Sequence, residues 1–306
     1  MRTAIIDLGT NTCNLLIAET GNGRYHMLYR GKKGVKLGKE GIGQNNLNRE
    51  AFMRARQAFL SHRKTIQDYG TTEITALATS AVRDAVNRQD FSDYLLRETG
   101  LNVRIITGEE EAELIFEGVK LALGNIPPQS LILDIGGGSN EFILPGNNTI
   151  KWKNSFPLGM ARVTERFPLS DPARPEEIRQ IETYYENGLS LLWTRLDACP
   201  VNKLIGCAGA FDTLADLTEQ TPAGTKTRIR KKIRKSEFGR LAQQLIHSTT
   251  VQRNKLTGMD PLRVEMIVPA VILIRLLFRN LGIRAIIQTS YALAEGVLSK
   301  HINGYL

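Results

Sequence analysis

Short apolar runs and longer helical stretches alternate along this chain. Ala4-Ile5-Ile6 and 14–18, apolar after Asn14, read as strands joined by a segment that includes Asp7-Leu8-Gly9-Thr10-Asn11-Thr12, and Asn22-Gly23 marks a hairpin turn after them. Asn48 then caps a predicted helix whose apolar positions Ala51, Phe52, Ala55, Phe59 and Ile66 keep a helical period until Gly70. Residues 74–78 read as a strand, 90–99 as a helix stopped by Gly100, 103–106 as a strand and 109–123 as a helix. Asn125-Ile126-Pro127-Pro128 breaks the pattern. Beyond it, 203–207 reads as a strand that passes through Gly206-Cys207-Ala208-Gly209 into a helix. Asp260-Pro261 is expected to open a long apolar helix, with Asp as cap and Pro in the first turn. Residues 285–288 and 291–300 give a last strand and a last helix. The sum is a mixed α/β protein.

One pattern occurs twice. Leu131-Ile132-Leu133-Asp134-Ile135-Gly136-Gly137-Gly138-Ser139-Asn140 repeats the opening run, with Asp134 127 positions after Asp7. A second strand follows each copy, and Gly146-Asn147-Asn148 sits where the second hairpin turn belongs. A repeat of this length implies two similar α/β domains, which we place at 1–125 and 126–306, the last helix being free to pack back on the first.

The repeated turns carry the clearest chemistry. A glycine in a tight turn lets backbone amides point at an anion, and Thr10, Thr12 and Ser139 add hydroxyl donors. Gly9, Thr10, Asn11, Thr12, Gly136, Gly137, Gly138 and Ser139 are therefore the candidate phosphate ligands. Asp7 and Asp134 suit a magnesium ion or its waters. Two ordinary hairpin turns are the plain alternative; a copy at the start of each half favours paired phosphate loops across a cleft. Of Glu109-Glu110-Glu111, Glu111 lies three, four and seven residues before Leu114, Ile115 and Gly118 and so continues an apolar face. A desolvated carboxylate there gains proton affinity, which makes Glu111 the candidate general base. Arg83, in Thr79-Ser80-Ala81-Val82-Arg83-Asp84-Ala85, is either a surface arginine or a cation for developing phosphoryl charge.

Composition narrows the class. The 306 residues are 42% hydrophobic, enough for a sizeable core, and the net charge of +9 favours polyanionic partners. The segment Lys226-Thr227-Arg228-Ile229-Arg230-Lys231-Lys232-Ile233-Arg234-Lys235 is the sharpest basic cluster, a candidate polyanion strip or a solvated face. No aromatic residue interleaves it, so nucleic acid is not favoured. The short apolar start and the interrupted run 266–274 argue against a signal peptide and a membrane span. Cys13, Cys199 and Cys207 are an odd count without metal spacing, as in a cytoplasmic protein. No Gly-x-x-x-x-Gly-Lys-Ser/Thr loop is present.

These segments resemble the exopolyphosphatase/guanosine pentaphosphatase (Ppx/GppA) family of the actin-like ATPase superfamily. The matching runs are 7–12, 78–85, 106–112, 133–141, Pro157-Leu158-Gly159, 206–209 and 291–296. The resemblance implies an α/β fold of two actin-like (ribonuclease H-like) domains with an interdomain cleft. It implies hydrolysis of a terminal phosphate from polyphosphate or guanosine pentaphosphate by water, assisted by Mg²⁺. The family's catalytic glutamate maps to Glu111, and its other active-site residues to Arg83, Asp134, 136–139 and Glu141; Glu141 is a candidate in both the catalytic and the metal set, beside Asp7 and Asp134. The chain stops before the C-terminal helical domains of longer members, so the two-domain form is expected, with a homodimer as a candidate assembly. An actin-like sugar or acetate kinase, and a non-catalytic sensor of polyphosphate or guanosine tetraphosphate, are the competing readings.

Overall fold

The computed structural model describes residues 1–147 and 149–304. Asn148 of the expected second hairpin turn, and 305–306 at the end of the second expected domain, lie outside the described residues. The first half contains β1 (Arg2–Leu8), β2 (Thr12–Gly21), β3 (Arg24–Gly34), α1 (Arg49–Asp68), β4 (Glu73–Ala78), α2 (Ser80–Arg83), α3 (Arg88–Thr99), β5 (Arg104–Ile105) and α4 (Gly108–Leu123). The second contains β6 (Ser130–Ile135), β7 (Asn140–Gly146), β8 (Thr149–Phe156), α5 (Met160–Arg166), α6 (Pro175–Gly188), α7 (Ser190–Asp197), β9 (Lys203–Cys207), α8 (Gly209–Glu219), β10 (Lys231–Arg234), α9 (Lys235–His247), α10 (Thr250–Asn254), α11 (Ile267–Asn280), β11 (Ala285–Thr289) and α12 (Leu293–Ile302).

Two mixed sheets share one plan. The first runs β3-β2-β1-β4-β5 and the second β10-β11-β9-β6-β7-β8. In each, an antiparallel meander (β1 to β3, β6 to β8) continues into parallel strands (β4 and β5; β9 and β11). The fold is α/β, with two actin-like domains and a cleft between them. The central strands read as unbroken apolar runs because both faces are covered: Ile5, Ile6, Ile132 and Leu133 are fully buried. Outer helices cover one face of each sheet, forming one core with Phe59 and Phe91 and another with Phe211 and Leu273. A third core lies between the sheets, built from α4 and α12 with Ile5, Leu77, Ile132 and Ile205.

The two middle helices touch backbone to backbone. A Cβ on Gly118 would lie 2.0 Å from the Ala292 carbonyl oxygen, and one on Gly296 would lie 1.8 Å from that of Leu114. Only glycine allows this approach. After β11 the chain therefore leaves the second sheet, and α12 packs against α4, β1 and β2.

Local signals fix most boundaries. Asn48 accepts from Ala51 N at 2.8 Å, and Gly100 ends α3 in the left-handed conformation. Asn22 and Gly23 both have positive φ, as a tight hairpin turn requires. The Asp260-Pro261 expectation is corrected: α11 starts at Ile267, not at Pro261. Residues 260–266 wind as turns, with Arg263 N on Asp260 O and Met266 N on Arg263 O. The Asp260 carboxylate is spent on Lys32, Arg263 and the Leu262 amide. Pro269 then falls in the first turn of α11, where its missing N–H leaves no bond unmade.

Four of the seven cations in the basic segment 226–235, Lys226, Arg228, Lys231 and Arg234, have acidic partners. Arg228 is buried between Asp216 (2.7 Å) and Glu219 (2.8 Å), while Lys226 and Lys231 reach the same Glu219 at 3.0 and 2.9 Å. These partners hold the Glu219 carboxyl down at about 2. The segment runs from a salt-bridged loop into β10, the edge strand of the second sheet. Cys13, Cys199 and Cys207 are free thiols, and among the described residues no helix is long and apolar enough to cross a membrane.

Candidate active site

The duplicated turns meet. Gly9 N donates to Thr12 O at 2.9 Å, and Gly136 N donates to Ser139 O at 3.0 Å, so both copies close the same way. They are pressed together across the cleft: a Cβ on Gly137 would sit 2.3 Å from Asn11 Nδ2, and one on Gly138 2.7 Å from Thr10 Oγ1. Between them lies a cavity of about 130 Å³, walled by both turns, Asp7, Asp134, Glu111 and Glu141. It continues into a larger one of about 300 Å³ reaching Arg30, Lys32, Asp212 and Lys226.

The helix after Pro157-Leu158-Gly159 orients the triple glycine. Met160 N, Ala161 N and Gly159 N donate to the carbonyls of Gly136, Gly137 and Gly138. In a trans peptide the next N–H points opposite its carbonyl. The amides of Gly137, Gly138 and Ser139 are thus turned away from α5, towards the cavity that these residues line. Gly159 has no room for a side chain, since its Cβ would meet Gly137 and Gly138 backbone at 2.5 Å. Thr10 and Ser139 are buried at the cavity wall, and Thr12 lines it. Asn11 lines it too; one N–H of its side-chain amide donates to Met266 Sδ, which leaves the second as a donor.

Four carboxyls line this cavity, Glu111 and Glu141 buried and Asp7 and Asp134 partly buried. Glu111, on the first turn of α4, is 7% exposed, and Arg83 Nη1 donates to its Oε2 at 2.6 Å. Burial, then the neighbouring Glu141, push its proton affinity well up, while Arg83 opposes them. Glu110 and Glu109 face outwards, towards Arg104 and Lys153. Glu141 is 1% exposed; Ser139 Oγ and Ser155 Oγ donate to its Oε1 at 2.6 and 2.7 Å, and burial followed by the charge of Asp134 raises its carboxyl to about 7. Burial raises Asp7 to about 6 despite the amide of Asn14, which donates to Oδ2 at 3.0 Å. Asp134 is pushed well up by burial and by Glu111 and Asp7, with Arg263 opposing.

Every candidate site residue lies in this one region, Arg83 through its pairing with Glu111. Sequence reasoning missed Asn14, Ser155 and Arg263. Asn14 had a signal: it stands seven residues after Asp7, as Glu141 stands seven after Asp134, and each faces its aspartate across the paired strands. Ser155 and Arg263 come from β8 and the 260–266 turns, with no spacing relation to the motifs.

The raised carboxyls predict a pH effect on stability. A carboxyl whose folded-state pKa lies above its unfolded value stabilises the fold in its protonated form, below the unfolded value. That contribution is lost as pH rises through the folded value. For Asp7 the window is 3.8 to about 6, and for Glu141 4.5 to about 7. The two cost the fold about 3 kcal/mol each at pH 8 as an order of magnitude. In buffer without divalent cations, Glu141→Gln should unfold at higher temperature than the parent at pH 8 and gain nothing at pH 4.5. An equal gain at both values would refute this.

An actin-like cleft lined by two glycine turns and desolvated carboxylates defines a phosphate-handling α/β protein. The chain belongs to the Ppx/GppA phosphatase family, whose model matches residues 16–303. It is 31% identical over 294 residues to "Exopolyphosphatase 2" of Mycobacterium tuberculosis, covering 93% of this chain and 92% of that protein. The crystal structure of an exopolyphosphatase from Cytophaga hutchinsonii superposes with a TM-score of 0.95 at 37% identity, over 100% of this chain and 99% of that one. An Aquifex aeolicus Ppx/GppA family member shares the fold at a TM-score of 0.80 and 24% identity, over 99% and 98% of the two chains.

Proposed function

We propose that the protein hydrolyses the terminal phosphoanhydride of inorganic polyphosphate, with guanosine pentaphosphate as a second substrate of the same site. The observation that carries this is the pair of glycine turns facing each other over a cavity that also holds one buried glutamate paired with one arginine. The relatives named exopolyphosphatase support the choice of polyphosphate.

The amides of the two turns, with Thr10, Thr12 and Ser139, hold the phosphate oxygens. Glu111 takes a proton from a water as its oxygen attacks the terminal phosphorus. The bond from phosphorus to the bridging oxygen breaks, and that oxygen leaves on the shortened chain. Arg83 faces the charge that develops on the transferring group. Asp7, Asp134 and Glu141 would hold magnesium: they are hard oxygen ligands, partly or fully buried and mutually repelling, and a dication between them would relieve that repulsion. Among the described residues no three acidic, His or Cys side chains form a metal cage alone, so waters and substrate oxygens would complete the shell. Bound there, the ion would supply charge neutralisation at the phosphates. The free thiols fit a reducing, cytoplasmic setting.

The test is phosphate release with Mg²⁺ from short polyphosphate, long polyphosphate and guanosine pentaphosphate side by side. We expect turnover of polyphosphate that a chelator abolishes. Tight binding without release would favour a sensor, and ATP consumption that depends on an added acceptor a kinase.

A further inference from the structure

One guanidinium stitches the two walls of the cleft together. Arg162, on α5 in the second half, donates through Nε to Gly138 O at 3.0 Å, and through Nη1 to Ile42 O and Asn45 Oδ1, both at 3.0 Å. Its Nη2 pairs with Asp84 of the first half, whose Oδ2 also accepts from Ser80 Oγ at 3.2 Å. One turn along α5, Glu165 accepts from Gly43 N at 3.0 Å and docks the helix on the same loop.

This contact reaches the reacting groups through two further links. Asp84 Oδ1 lies 3.5 Å from Arg83 Nε, and Arg83 Nη1 lies 2.6 Å from Glu111 Oε2. Charges alternate from Arg162 through Asp84 and Arg83 to Glu111. Arg83 thus stands between two carboxylates. It sits close on Glu111 while Arg162 occupies Asp84 from across the cleft. Without Arg162, Asp84 is an unneutralised anion beside Arg83 and competes for it. We infer that Arg162 is a positioning residue for the reaction: it makes the Arg83–Glu111 pair conditional on the two halves meeting, and it fixes the Gly138 carbonyl so that the next amide faces phosphate. The inference rests on the roles given above to Arg83 and Glu111.

The experiment is a double-mutant cycle in the full chain, with short polyphosphate and Mg²⁺. We expect Arg162→Met to lower kcat by about 30-fold while KM moves by less than about threefold, because the lost contact acts on alignment. Asp84→Asn removes the competing anion and should cost about threefold or less. In the Asp84→Asn background, Arg162→Met should then cost at least about fivefold less than in the parent. Arg162→Lys should not restore kcat, since one ammonium cannot span four acceptors. Thermal unfolding checks each variant; if Arg162→Met fails to fold, Arg162→Gln, which keeps a donor, takes its place. Losses that simply multiply, or an unchanged kcat in a folded Arg162→Met, would overturn the inference and leave the proposed function standing. A parent protein that releases no phosphate from any of the three substrates would sink both.

Discussion

Replacing Glu111 by glutamine should lower kcat for polyphosphate by about a thousandfold, within the range of about 10² to 10⁴ that general base catalysis supplies. The change is nearly isosteric; it takes away the ability to accept a proton and the charge that faces Arg83. It also removes a carboxyl that burial and Glu141 disfavour as an anion, so the variant should unfold no earlier than the parent. Substrate binding depends on the two glycine turns, and KM should stay within about threefold. In the parent, the rate should fall as pH drops through the raised pKa of Glu111, because protonation disables the base; the residual rate of Glu111→Gln should lack that limb. Steady-state kinetics across pH checks all of this. Turnover within about tenfold of the parent would remove Glu111 from the mechanism.

The largest stability effect is expected where no side chain fits. In Gly296→Leu, a Cβ would have to occupy a point 1.8 Å from the Leu114 carbonyl oxygen, and that neighbour is backbone in the middle of α4. Neither helix can yield locally, since both are packed between the sheets. Overpacking of this kind costs about 3 kcal/mol or more, and the thermal midpoint should fall by roughly 5 to 10 °C. Because α4 carries Glu111, activity should fall along with stability. A midpoint within roughly 2 °C of the parent would show that the helices do not meet backbone to backbone.

Much of this architecture could be read from residue order. The apolar runs before Asp7 and Asp134 are strands buried on both faces, and continuous apolar character is what such burial selects. Glu111 was distinguishable from Glu109 and Glu110 because a helical period places it on the face that Leu114 and Ile115 bury. The repeat announced two matching turns, and they meet. What could not be read depends on contacts between distant segments. Asp260-Pro261 carries a valid local cap signal, yet Lys32 from the other half and Arg263 claim the carboxylate, and the helix begins later. The basic run looks free in sequence, whereas its partners Asp216 and Glu219 lie on the preceding helix. Arg162 and Ser155 join the site through packing of α5 and β8, and no spacing announces them.

The placement of the last helix bears on how the molecule can move. The chain passes from the first half to the second after α4 and returns after β11, so two peptide tethers cross between the lobes. Two anchored points define an axle. Rocking about it bends each crossing only slightly, while sliding one lobe past the other would stretch a tether. Rotation of one lobe against the other would therefore be easiest about the line through these two crossings, and the contacts of Arg162 across the cleft would resist it.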